Sequence, residues 1–483
     1  MRLNRKQIIV TGYVFHLIAA IFSLGYHHCD ELFQIYEFAG FKSGVNSASE
    51  MHWEFHERMR SGLQPFIVFC VNAVFHSAHI VNPFYVALVI RLFQSSLSFL
   101  AVCLFMRLFE TEIREEKHRN WFWFLGLLTW CMPYFHARFS SENFSATLFL
   151  FGLFLLLRPL KNNLPGLFFG GVLLGLAFIS RFQAGFMIAG LMGWCFYTKR
   201  FRSNEILTLI AGGIAALGLG FLLDRWLYGV WTCSWWNYLD LNLFQDRASA
   251  FGREPWYYYL AEATLQLIPP FSVLVIIALF VFWIKKRTHV ITWITVPFIV
   301  LHVFVAHKEL RFLFPVLSFL PFVVMHLVQD IRASEENRPR WQKLFIGFFL
   351  FVNTVLLLVV LFKPADNISH MLKKVYDLTA TEAAVMYFEQ ADPYDKAAAL
   401  HFFHNPGLVT RHISDTAQVK PDVRSFYFSE RYGEGPVIFK NGKVFTRVYT
   451  NFPSWFSYIN VNNWLSRAYS FSVYRENKSG SNL

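Results

Sequence analysis

Residues 65–81 read PFIVFCVNAVFHSAHIV, and the reading of this stretch decides the fold. Its 17 residues fall just short of the roughly 20 apolar residues that cross a bilayer, and they include Asn72, His76 and His79. Counted as a crossing, the stretch throws every later Lys/Arg cluster to the outside. Taken as an interfacial or re-entrant helix, it leaves every one inside, as the positive-inside rule requires. The second reading is adopted, and the rest of the topology follows from it.

Outward from this point, apolar runs and basic boundaries define about eleven spans. Arg2, Arg5 and Lys6 hold the N-terminus inside, and span 1 covers 8–26. Spans 2 to 7 lie near 84–109, 121–137, 141–157, 164–180, 184–198 and 206–223. Arg114, Lys117 and Arg119, then Arg158 and Lys161, then Lys199, Arg200 and Arg202 mark their inner loops. Spans 8 to 11 lie near 264–284, 289–306, 312–330 and 344–362, with Lys285, Lys286, Arg287, Arg332, Arg338, Arg340 and Lys343 inside. The expected fold is therefore an α-helical polytopic bundle over 1–362. Its long first outer loop, 27–83, carries amphipathic helices, and a second outer loop covers 224–263. A small α+β domain, 363–483, follows outside. There, strand-like alternation (Ser425-Phe426-Tyr427-Phe428, Val444–Tyr449) is punctuated by the turns Asn405-Pro406-Gly407 and Lys440-Asn441-Gly442.

Composition agrees. Of 483 residues 55% are apolar, with 56 Phe and 15 Trp, which excludes an ordinary soluble globule. The net charge of +12 would suit nucleic acid, but it sits in short blocks between apolar segments and is topological. No nucleic-acid partner is expected; membrane lipids are. The six cysteines show no CxxC spacing, so neither a zinc framework nor a disulfide framework is expected. The segment 8–26 has no small-residue cleavage site and reads as a span, not a cleaved signal. Asn367-Ile368-Ser369 and Asn477-Lys478-Ser479 are sequons on the outer side.

Three clusters carry potential chemistry, and the topology puts all of them outside. In His27-His28-Cys29-Asp30-Glu31, a continuing helix would place Asp30, Gln34 and Glu37 on one face. A carboxylate against an apolar wall suits general-base work; a polar interfacial stripe with Asp30 as a cap explains the same residues equally well. Asp224-Arg225 opens a loop dense in Trp and Tyr, including Trp236. These would stack on sugar rings or simply belt the interface. His307-Lys308-Glu309-Leu310-Arg311 is a tight cationic hairpin on the side where the charge rule expects few cations. Lys308 and Arg311 there would serve as phosphate ligands. His52 and His56 flank Glu54 without forming HExxH, and no metal is assigned.

In order along the chain these positions resemble glycosyltransferase family 22, the dolichol-pathway and GPI-anchor mannosyltransferases, and its GPI mannosyltransferase III branch most. The family's His-x-Asp-Glu with a following Gln and Glu is met by His28, Asp30, Glu31, Gln34 and Glu37. Its Trp-Glu, Arg-Ser and Pro elements are met by Trp53-Glu54, Arg60-Ser61 and Pro65. Its Asp-x-x-x-Tyr-Gly-x-Trp, Trp-Asn and Gly-x-x-Pro-Trp are met by Asp224, Tyr228, Gly229, Trp231, Trp236-Asn237 and Gly252–Trp256. The His-Lys-Glu-x-Arg-Phe element is complete at 307–312. Departures are Cys29 for the usual Pro, His52 for Thr, and Arg181-Phe182-Gln183 for Arg-Pro-Thr.

The resemblance implies a GT-C bundle and an inverting transfer of a hexose, mannose, from a polyprenyl (dolichyl-type) phosphate. The acceptor would be a hydroxyl of a glycolipid or lipid-linked glycan. Asp30 would be the base, with Glu31 beside it; His307, Lys308, Arg311 and Arg225 would hold the donor phosphate. Gln34, Trp53, Glu54, Asp224, Trp236 and Glu309 would position sugar and acceptor. No cofactor is demanded, because cations can serve the phosphate without a divalent metal. The membrane would be the endoplasmic reticulum or a bacterial inner membrane, with chemistry on the lumenal or periplasmic side. A transporter or scramblase of a lipid-linked substrate is the rival reading. Against it, the charges gather at one rim and no pseudo-repeat is visible.

Overall fold

The computed structural model describes residues 4–158, 163–332, 340–379, 383–394, 400–415, 418, 424–431, 435–439, 442–452, 454–466 and 468–477. Arg2, Lys161, Arg338, Lys440, Asn441, Lys478 and Ser479 lie outside the described residues.

In chain order the helices begin with α1 (Arg5–Phe22), α2 (Phe38–Lys42), α3 (Trp53–His56), α4 (Leu63–Ser77), α5 (Pro83–Phe109) and α6 (Glu116–Leu128). Next come α7 (Met132–His136), α8 (Ser141–Leu157), α9 (Leu164–Ser180), α10 (Ala184–Tyr197), α11 (Ser203–Tyr228) and α12 (Ser234–Leu239). The last are α13 (Tyr258–Gln266), α14 (Phe271–Lys285), α15 (Val290–Phe304), α16 (Leu320–Arg332), α17 (Arg340–Phe362) and α18 (Asn367–Thr379). Each expected span thus has a helical counterpart, and the contested stretch lies within and just beyond the 15-residue α4.

The chain folds as two compact units. The first is 1–23, 52–74 and 86–363; the second is 24–51, 75–85 and 364–483. In the first, helices start on local caps: the Ser140 Oγ accepts the Asn143 N–H, and Asn163 accepts the Gly166 N–H. Helices then pack through small residues. A Cβ at Gly171 would lie 2.0 Å from the Leu209 carbonyl oxygen, and one at Gly212 would lie 2.1 Å from that of Phe168, so α9 and α11 meet backbone to backbone.

Two expected spans are interrupted. Span 3 breaks between α6 and α7, where Thr129 is extended. Buried Asn353 of α17 repairs the break: its Nδ2 donates to the Leu128 carbonyl (2.9 Å), and its Oδ1 accepts the Trp130 N–H (2.8 Å). Span 8 begins at Phe271, not 264, because Pro269-Pro270 cannot continue α13. The run after the hairpin opens as a 3₁₀ helix, Leu310–Phe319, before α16.

The second unit contains a six-stranded sheet ordered β2 (Leu408–His412), β1 (Ala384–Phe388), β3 (Arg424–Ser429), β6 (Ser472–Glu476), β5 (Val444–Thr450), β4 (Val437–Ile438). The β1 strand is parallel to β2 and β3; the other pairs are antiparallel. Val385, Tyr387, Tyr427, Phe445 and Tyr474 form its core on one face, and the Asn405-Pro406-Gly407 turn leads into β2. The expected small C-terminal α+β sheet is thus present.

Candidate functional site

In the first unit, the hairpin after α15 is wired together by charge. The Glu309 carboxylate takes Arg311 side-on, from Nε at 2.5 Å and from a terminal nitrogen at 3.1 Å, and His307 Nε2 lies 2.9 Å from Oε1. This is the bidentate geometry that a guanidinium provides and an ammonium cannot. Arg311 also lies 3.5 Å from Glu142 Oε1, and Arg181 lies 3.2 Å from the same oxygen. Glu142 is 2% exposed, so this carboxylate is buried between two guanidiniums. Both arginines also lie over the Phe312 ring, at 5.0 and 5.3 Å.

Lys308 is buried, and its ammonium donates to the carbonyls of Glu254 (2.8 Å) and Val305 (2.7 Å). Desolvation holds its pKa below the usual lysine value. The contacts pin the hairpin to the Gly252–Trp256 stretch, which the Glu254 N–H reinforces by donating to the Ala306 carbonyl.

A second cluster orders the segment 52–62. Arg60 pairs with Glu54 at 2.5 Å and lies over the Tyr238 ring, whose hydroxyl accepts from Gln183. Tyr228 donates to the Arg60 carbonyl at 2.6 Å. Buried Asp224, near the C-terminal end of α11, is a double acceptor: Oδ1 takes the Gly62 N–H (3.0 Å) and Oδ2 the Ser234 N–H (3.1 Å). Gly62 is required by space, since a Cβ there would sit 2.4 Å from the Leu223 carbonyl oxygen. Trp53 stacks on Phe251 (5.9 Å), which in turn meets the His307 ring (6.0 Å), so an aromatic file connects the two clusters. Arg225 and Trp236 are exposed, and Arg225 lies over Trp231.

The second unit holds the acidic motif. Residues 32–37 form a π-helix, not the α-helix assumed in placing Asp30, Gln34 and Glu37 on one stripe. Gln34 and Glu37, within this turn, are buried, whereas Asp30, which precedes it, is partly exposed. Glu37 accepts the Phe402 N–H (3.0 Å) and an Asn46 amide N–H (2.7 Å); burial pushes its pKa up to about 8 against those bonds. Glu31 Oε1 accepts the His27 N–H at 3.1 Å, closing the turn that presents Asp30. Among the described residues, one group of three potential metal ligands converges, His28, Cys29 and Asp30; His52 and His56 join no such group.

Glu142 and Arg181 carry the charged arrangement of the first unit, yet the sequence reading gives neither a role. The available signal was a carboxylate at the very start of an expected span, beside Ser140, Ser141 and Asn143, because a charge at membrane depth needs a partner.

The model of the Alg9-like mannosyltransferase family matches residues 7–395. GPI alpha-1,2-mannosyltransferase 3 of Bos taurus is 24% identical over 310 residues, 63% of this chain and 55% of that one. The Homo sapiens protein of the same name is 24% identical over 333 residues, 67% and 58%. A probable Dol-P-Man:Man(7)GlcNAc(2)-PP-Dol alpha-1,6-mannosyltransferase of Schizosaccharomyces pombe is 28% identical over 158 residues, 32% and 28%. The chain thus spans little more than half the length of the first of these relatives. The crystal structure of ArnT from Cupriavidus metallidurans bound to undecaprenyl phosphate superposes with a TM-score of 0.55 at 10% identity, covering 98% of each chain. That likeness is one of fold alone, and it bears out the GT-C bundle.

Proposed function

The chain belongs to the Alg9-like mannosyltransferase family, and from that premise we propose that it moves mannose from a dolichyl-type polyprenyl phosphate to a hydroxyl of a GPI-type glycolipid. The observation that carries this reading is the Arg181–Glu142–Arg311–Glu309–His307 network, buried at its Arg181, Glu142 and Arg311 end and partly exposed at Glu309 and His307. It is a charge-paired framework that fixes two guanidiniums and the His307 ring in place, and preset donors of that kind suit a phosphate that must leave as an anion. The names of the relatives and the undecaprenyl phosphate bound by ArnT support a lipid-phosphate donor and a glycolipid acceptor.

In the proposed step Asp30 accepts the proton of the acceptor hydroxyl while that oxygen attacks the anomeric carbon. The bond from carbon to phosphate oxygen breaks, its electron pair leaves on the phosphate, and configuration inverts. His307, Arg311 and the third donor of Lys308 serve the phosphate, with Arg225 at the exposed rim. Glu31 fixes the turn carrying Asp30. Gln34, Trp53, Glu54, Asp224, Trp236 and Glu309 position sugar, acceptor and hairpin. No metal enters the step. The charge-derived topology supports placing the chemistry on the lumenal face of an endoplasmic reticulum membrane, with 363–483 on that side.

The test uses full-length protein in proteoliposomes, given dolichyl-phosphate [³H]mannose and GPI-type mannosylated acceptors. Label is expected in the glycolipid. Asp30→Asn should keep the unfolding transition and lose about 10²–10⁴-fold in turnover. Near-wild-type turnover of that variant removes Asp30 from the mechanism.

A further inference from the structure

The turn after α1 brings three chemically different donors together. His28 Nδ1 lies 3.7 Å from Cys29 Sγ and 3.3 Å from Asp30 Oδ1, and the ligand atoms of all three lie within 4.8 Å of one another. These separations can be compared with what a tetrahedral ion imposes. With bonds of about 2.0–2.1 Å to nitrogen or oxygen and about 2.3 Å to sulfur, its edges are about 3.4 Å from N to O and about 3.6 Å from S to N. The two observed separations fall within a few tenths of an ångström of those edges.

Other features point the same way. All three residues are partly exposed, so an ion has an entry path and room for a water as fourth ligand. The Cys29 sulfur is in no disulfide. The Asp30 N–H donates to His28 Nδ1 from 3.3 Å, so this nitrogen carries a lone pair and not a proton, and an ion would take the lone pair in place of that N–H. The Glu31–His27 bond holds the turn from outside the ligand set.

We propose that His28, Cys29 and Asp30 form a site for a thiophilic divalent cation of the Zn²⁺ class, and that its occupancy inhibits transfer. The Cys29 thiol gives its proton to solvent as the metal–sulfur bond forms, and the ion takes the Asp30 lone pair that would otherwise receive the acceptor's proton. The site is thus an inhibitory one and not a cofactor site. Its inhibitory half rests on the Asp30 role proposed above, whereas binding itself does not.

Binding and inhibition are therefore measured separately. Full-length protein in nanodiscs is titrated with Co²⁺ and followed by absorption. A thiolate-to-cobalt band in the near ultraviolet, saturating at one ion per chain and displaced by Zn²⁺, is expected. Cys29→Ser should abolish the band, and His28→Ala should weaken affinity by more than the roughly 10–100-fold that losing an outer partner of a ligand costs. No band, or a band that survives Cys29→Ser, overturns the site. In the transfer assay, Zn²⁺ should inhibit wild type and be relieved by chelator. Unchanged turnover at a saturating Zn²⁺ concentration, with the cobalt band present, overturns inhibition and leaves the binding site standing. Transfer that appears only with Zn²⁺ overturns inhibition, whereas absence of transfer both with and without Zn²⁺ would sink the proposed function.

Discussion

Arg311→Lys separates charge from geometry at the hairpin. The Arg311 guanidinium makes the side-on pair with Glu309, at 2.5 and 3.1 Å, and approaches Glu142 at 3.5 Å. A lysine ammonium is a point donor on a flexible stem, so it can meet one of those carboxylates and not both. At least one charge-assisted contact is lost, worth about 1.5–3 kcal/mol, while Glu142 keeps Arg181 and Glu309 keeps His307. Taking about 2 kcal/mol, and about 1.4 kcal/mol per decade of rate, kcat/KM for the lipid-phosphate donor should fall about 30-fold. The assay is label transfer at varied donor concentration, with circular dichroism to confirm retained helix. Wild-type kcat/KM to within about threefold in Arg311→Lys would show that only positive charge matters there, and would refute the geometric argument.

Three further perturbations test the framework. Asn353→Leu keeps the volume but strips both partners from the α6–α7 break; it should cost roughly 1–3 kcal/mol for each of the two backbone groups, read by denaturation in mixed micelles. Asp224→Asn leaves one acceptor for two N–H donors, so about 3 kcal/mol of local stability should go and amide exchange at Gly62 and Ser234 should quicken about 100-fold. Unchanged exchange would show that the carboxylate is not the clamp. Glu37 is held protonated in the fold up to about pH 8, whereas the unfolded carboxyl ionises near 4.5. Its contribution is therefore full below about 4.5 and lost as pH rises to about 8. The melting point should fall between about pH 5.5 and 8.5 in wild type and fall less in Glu37→Gln.

What was legible in the sequence is what depends on one residue at a time. Apolar length marks a span, because the bilayer acts on each residue separately. Even the start of span 8 was written in Pro269-Pro270, although the apolar run before it concealed the break. What depends on a partner was not legible. Thr129 carries no breaker signal, and the reason the chain can open there is an asparagine in α17, more than two hundred residues later. The stripe of Asp30, Gln34 and Glu37 assumed an α-helical turn, and nothing local announces the π-helix that replaces it. Glu142 reads as one more polar residue beside Ser140, Ser141 and Asn143 at a helix start; only the fold shows that Arg181 and Arg311 converge on its Oε1. A buried carboxylate in that position would be costly alone, and so would either guanidinium. Each charge is tolerable only because the other two are there, which makes the network a property of the packed bundle that no segment of the chain possesses by itself.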